Sequence, residues 1–156
     1  MRVQISVVGR LRNGPEKDLI DDYLTRFERT GRALGITDAT IVEVEDKKGS
    51  RQQVEAELLL KSIPKGAIIV TLDERGKLLS SPEFATRLAD WRDNGAPVVC
   101  FVIGGADGLI KELRAQADAS ISLGKMVWPH MLARVMLCEQ LYRAVSILAG
   151  SPYHRV

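Results

Sequence analysis

The last residues of the chain carry its densest chemistry. Tyr153-His154-Arg155 sets a stacking ring, a titratable imidazole and a fork-shaped guanidinium side by side, directly after Pro152. Those are the side chains that hold an RNA base and its phosphate. Arg143 is the next candidate, four residues after Glu139 in a strongly apolar stretch. On a wet helix face such a pair contributes about 0.2–0.5 kcal/mol. Inside an apolar helix both charges are costly unless paired or used, which raises the functional weight of Arg143. His130, beside Pro129, is the only other imidazole, and capping or packing is the ordinary role of a histidine there.

A third feature is the run Gly104-Gly105-Ala106-Asp107-Gly108, which breaks the apolar segment Val98 to Ile103. Its glycines fall as G-G-x-x-G, not G-x-G-x-x-G, and no conventional acidic ribose partner follows about 20 residues later. There is no Walker A pattern. The loop offers backbone that a ligand can approach closely, or simply a tight turn, and the spacing favours the turn. Cys100 and Cys138 each sit in an apolar segment, without a CxxC or a histidine at metal-ligand spacing. They read as reduced core residues, and no metal is expected.

The elements that must position these groups alternate along the chain. Val3, Ile5 and Val7 alternate with Gln4 and Ser6 as in a half-covered strand. Glu16 to Arg29 is helical in its apolar spacing, Ile41 to Val44 is a strand, and Ser50 is placed to cap a helix reaching Lys61. Ala67 to Leu72 is a strand apolar on both faces, followed by a polar break, DERGKLLSS. Ser81-Pro82-Glu83 opens a helix, with Ser81 as the capping hydroxyl. Val98 to Ile103 is the most apolar strand. A short helix from Leu109 to Gln116, a strand from Ala119 to Leu123 and a long helix from His130 to Ala149 complete the chain. This alternation predicts an α/β fold: one three-layer domain over residues 1–156, with a mostly parallel sheet of about five strands. Ligands of such sheets sit beyond the carboxyl ends of the strands, here after Leu72, Ile103 and Leu123.

Composition narrows the possibilities. The chain has 156 residues, 46% of them hydrophobic and 27% charged, which excludes a disordered or fibrous protein. No apolar run approaches the roughly 20 residues of a membrane span, and MRVQISVVGR is no export signal, so a cytoplasmic protein without membrane contact is expected. The net charge of +2 is unevenly spread. Residues 1–119 hold 18 basic against 19 acidic residues, whereas residues 120–156 hold four against one. A localised anionic partner, such as one RNA loop, suits that distribution better than a long nucleic-acid coat. From Met131 to Ala149, 14 of 19 residues are hydrophobic. Such a helix must be covered nearly all round, by a second copy of the chain in a homodimer or by a central place in its own core.

Five segments together resemble one family. VTLDERGK at 70–77, FVIGGADG at 101–108, KMVWPH at 125–130, EQLYRA at 139–144 and PYHR at 152–155 occur in the order found in ribosomal large-subunit pseudouridine N3-methyltransferases. These are small members of the SPOUT, or α/β-knot, superfamily, and the resemblance spans essentially the whole chain. It implies a deep trefoil knot in the C-terminal part, a homodimer, and S-adenosylmethionine as methyl donor. The implied cofactor contacts are Leu72, Gly104, Leu123, Gly124, Lys125, Met126, Val127 and Trp128. The family commonly has Thr at the place of Val127 and Phe or Leu at that of Trp128. Valine offers no hydroxyl, so a contact there is apolar or through the backbone. The implied substrate is N3 of a pseudouridine in 23S ribosomal RNA, within the large subunit or the assembled ribosome. His154, Tyr153 and Arg155 would form the substrate side, with Arg143 and His130 next; either an imidazole serves as general base, or fixed donors and cations such as Arg143 and Arg155 stabilise the imide anion. A knotted methyltransferase acting on another RNA such as a tRNA, or a non-catalytic ribosome-binding factor, are the competing readings.

Overall fold

The computed structural model describes residues 1–49 and 51–155. The chain runs β1 (Arg2–Val8), α1 (Pro15–Gly31), a 3-10 turn (Arg32–Leu34) and β2 (Ala39–Val44). It continues with α2 (Gln52–Ser62), β3 (Ile68–Leu78), α3 (Ser81–Asp93) and β4 (Val98–Ile103). Last come α4 (Lys111–Ala115), β5 (Ala119–Ser122) and α5 (His130–Leu148). The five strands form one parallel sheet in the order β2-β1-β4-β3-β5. β4 is central because VVCFVI, with all six residues buried, fits nowhere else.

Period-two alternation sends the strand side chains to two separate cores. Val3, Ile5, Val7, Val99, Phe101 and Ile103 pack with residues of α1, α3 and α5 on one face. Val8, Cys100 and Val102 pack with Leu59 of α2 and Leu113 of α4 on the other. The result is the expected three-layer arrangement. The half-covered reading of β1 needs correction, since Ser6 is fully buried. The end of α2 covers the polar face: Gln4 Nε2 donates to the Ser62 carbonyl at 2.7 Å, and Ser62 Oγ donates to Ser6 Oγ at 2.9 Å. Both cysteines are free and buried, and burial raises the Cys138 thiol to about 12.

Two other boundaries move. The cap of α3 is Ser80, not Ser81: Glu83 N–H donates to Ser80 Oγ while Ser80 N–H donates to the Glu83 carboxylate, a reciprocal box worth about 1 kcal/mol. Ser81 instead donates to Gln140 Oε1 of α5 at 2.7 Å. Ser50, expected to cap α2, lies outside the described residues.

The polar break after Leu72 is also part of β3. Ile121 of β5 pairs with Leu72 and again with Lys77, so residues 73–76 bulge out between two contacts with one residue. Gly76 lies on the β5 backbone there; a Cβ on it would stand 2.7 Å from the Ile121 nitrogen. Only glycine permits that approach.

Packing along α1 and α3 covers much of α5, so a central place in its own core explains part of its apolar composition. Its first turn is different. Met131 and Leu132 remain exposed, next to exposed Met126, Val127 and Trp128.

Candidate active site

The bulged middle of β3, from Leu72 to Arg75, and the carboxyl ends of β4 and β5 open into a cleft of about 290 Å³. Leu72, Gly104, Leu123, Gly124, Met126, Val127 and Trp128 line it; of the eight cofactor contacts implied by resemblance, only Lys125 does not. The glycine loop forms one wall. Gly108 N–H donates to the Gly105 carbonyl at 3.0 Å and Gly108 has φ +74°, so the tight-turn reading holds. A Cβ on Gly104 would come within 2.8 Å of the Gly108 carbonyl group, which explains a glycine there by close backbone packing. The opposite wall is apolar and open: Met126 is 74% exposed and Val127 81%. His130, at the start of α5, reaches the same cleft, and its buried Nδ1 has no hydrogen-bond partner among the described residues. Asp73, Glu74 and Arg75 add charge to the lining, with the Asp73 side chain buried and paired to Arg75.

The other predicted residues gather elsewhere. Glu139 Oε1 accepts from Arg143 Nε at 3.0 Å, from Arg143 Nη2 at 2.6 Å and from the Tyr153 hydroxyl at 2.9 Å. Arg143 Nη1 faces His154 Nδ1 at 3.1 Å, and its guanidinium stacks 4.7 Å from the Tyr153 ring. Tyr153 also packs on Tyr142, with ring centroids 4.6 Å apart. The tail is therefore docked on α5. Arg155 stays exposed beside it. Burial first, then the bond to Glu139, raises the Tyr153 phenol well above its ordinary range. His130 belongs to the cleft and not to this cluster. Thirteen residues of α5 separate His130 from Arg143, which is about 20 Å along the helix axis at 1.5 Å per residue. Within one chain the cleft and the tail cluster are apart.

A family described as "Predicted SPOUT methyltransferase" matches residues 1–154. The chain belongs to the SPOUT methyltransferase family. As a SPOUT methyltransferase it is an enzyme that uses a methyl donor. It is 69% identical to the "Ribosomal RNA large subunit methyltransferase H" of Ruegeria pomeroyi over all of both chains. Proteins of the same name from Dinoroseobacter shibae and Cereibacter sphaeroides are 66% and 62% identical, again over all of both chains. Among solved structures, a probable methylase family protein from Haemophilus influenzae matches with a TM-score of 0.51 at 12% identity. That match covers 99% of this chain and 70% of the other, a likeness of fold.

Several residues that support the cleft and the start of α5 carry no signal in the sequence. Gln52 Nε2 of α2 donates to the Asp107 and Gly108 carbonyls at 2.8 and 3.3 Å, bracing the glycine loop from behind. Glu55, 6% exposed, presses its carboxylate on Gly105, where a Cβ would meet Oε2 at 2.6 Å. Burial, then the nearby Asp107 and Asp46, raises its carboxyl above the ordinary range. Arg134 is 2% exposed. It donates to Glu43 at 3.0 Å and to the Gly9 carbonyl at 3.2 Å, tying α5 to the ends of β1 and β2. Local spacing carries no sign of partners 91 and 125 residues away.

Proposed function

We propose that the chain transfers a methyl group from S-adenosylmethionine to N3 of a pseudouridine in 23S ribosomal RNA, within the large subunit or assembled ribosome. The observation that carries this reading is full-length identity of 61–69% to relatives named for methylation of large-subunit ribosomal RNA.

The cleft fits such a donor. Glycine backbone, apolar side chains at Leu72, Leu123, Val127 and Trp128, and the unpartnered His130 Nδ1 suit a ligand with an adenine ring and a polar tail. Those residues with Gly104, Gly124 and Met126 would hold it. S-adenosylmethionine, when bound, supplies a methyl already activated on a sulfonium sulfur. The protein's own task is then to align the base and exclude water. Arg143 and Arg155 grip phosphate or the electron-rich base, Tyr153 stacks, and His154 hydrogen-bonds.

Separation of the cleft from the tail cluster by about 20 Å of α5 supports a homodimer in which the tail of one protomer completes the cleft of its partner. An apolar cavity of about 410 Å³ between α1, α5 and the start of α3, with exposed Leu19 and Leu78 nearby, supports a covering subunit.

Tritium transfer from labelled S-adenosylmethionine tests the reading directly. Intact ribosomes lacking the modification are expected to accept label, free 23S RNA much less, and mass spectrometry should place the methyl on a pseudouridine. Label on tRNA alone would refute it.

A further inference from the structure

Three groups in the tail cluster could in principle take the imide proton from a base about to be methylated: Glu139, Tyr153 and His154. Each is already engaged. Glu139 Oε1 receives three hydrogen bonds, two from Arg143 and one from the Tyr153 hydroxyl. Tyr153 is the donor in the last of these, and its surroundings favour the protonated phenol. His154 is the informative case. Its Nδ1 lies 3.1 Å from Arg143 Nη1, and a guanidinium nitrogen has only hydrogens to offer. Nδ1 must therefore present its lone pair to Arg143. In a neutral imidazole the single ring proton then sits on Nε2.

We infer that His154 meets the base as a hydrogen-bond donor through Nε2–H, and that the tail cluster stabilises the anionic imide without removing its proton. This rests on the reading of the tail as the substrate side of the site. The proton passes to water or hydroxide, and the nitrogen keeps its electron pair. That pair forms the new N–C bond while the S–C bond to the methyl breaks and its electrons stay on sulfur. Negative charge on the flanking carbonyl oxygens is what Nε2–H and the nearby guanidinium are placed to hold. Arg143 thus acts partly through His154, by fixing its tautomer.

Two measurements test the assignment. Nitrogen-15 shifts of the imidazoles, assigned with a His130 variant, are expected to show His154 protonated at Nε2 and bare at Nδ1 at neutral pH. In Arg143→Ala the two tautomers should mix. A proton on Nδ1 in the wild type would overturn the inference whatever the tail's role. In kinetics, His154→Gln keeps an amide N–H near the place of Nε2–H and should retain about a tenth of kcat, whereas His154→Ala should fall about 100-fold, as on loss of a fixed donor. A glutamine variant as inactive as the alanine one, with unchanged thermal stability and cofactor affinity, overturns the donor role. Full activity in both removes the tail from the site and overturns the underlying reading instead.

Discussion

At the residue scale, Tyr153 shows what docks the tail on α5. Its hydroxyl donates to Glu139 and its ring packs against Tyr142 and the Arg143 guanidinium. Burial and the neighbouring carboxylate both oppose ionisation, so its folded pKa is raised. The sign follows from linkage: stability from docking is fully present below the ordinary phenol range of about 10 and is lost as pH climbs through the raised value. Ultraviolet titration should therefore show one tyrosine ionising well after that range, absent in Tyr153→Phe. Of this cluster, Tyr153, His154, Arg155 and the Glu139–Arg143 pair were visible in the sequence, because each stands within a short segment. The stacking of Tyr142 was not, since its partner comes from a tail whose return path no spacing specifies.

The elements read well where burial is uniform and poorly where a neighbour changes it. β4 was legible because six apolar residues in a row have only one home, a sheet centre covered on both faces. β1 was misread because α2 buries its polar side and satisfies Gln4 and Ser6 through Ser62. β3 was cut short at Leu72 because residues 73–76 look like a loop, and the strand resumes only through pairing with β5. Gly76 holds that second half in place. Gly76→Ala would push a Cβ into the backbone of Ile121, an overpacking cost of about 2–3 kcal/mol. The expected reading in a thermal melt is a Tm lower by roughly 5–10 °C for a chain of this length. An unchanged Tm would mean that the bulge relaxes freely.

For the whole molecule, the decisive quantity is the length of α5 between the cleft at His130 and the cluster at Arg143. If one protomer's tail serves the other's cleft, two inactive variants should complement each other. A cleft variant, Gly104→Val, and the triple alanine variant of Tyr153-His154-Arg155 are expected to be inactive alone. After subunit exchange, half the dimers are mixed and each carries one sound site, so about a quarter of wild-type activity should return. No recovery despite mixed dimers in native mass spectrometry would place each site within one chain.

The sequence alone determined the α/β alternation, the three segments after Leu72, Ile103 and Leu123 that line one cleft, and the tail residues that gather with Arg143. Hydrophobic period and short motifs are local, and local patterns need no knowledge of the path between elements. Tertiary structure decided the rest. It turned Arg134 to Glu43 and Gly9, braced the glycine loop with Gln52 and Glu55, and set His154 Nδ1 against Arg143. Each of those contacts joins residues whose spacing in the chain says nothing of their meeting, and only packing brings them within reach.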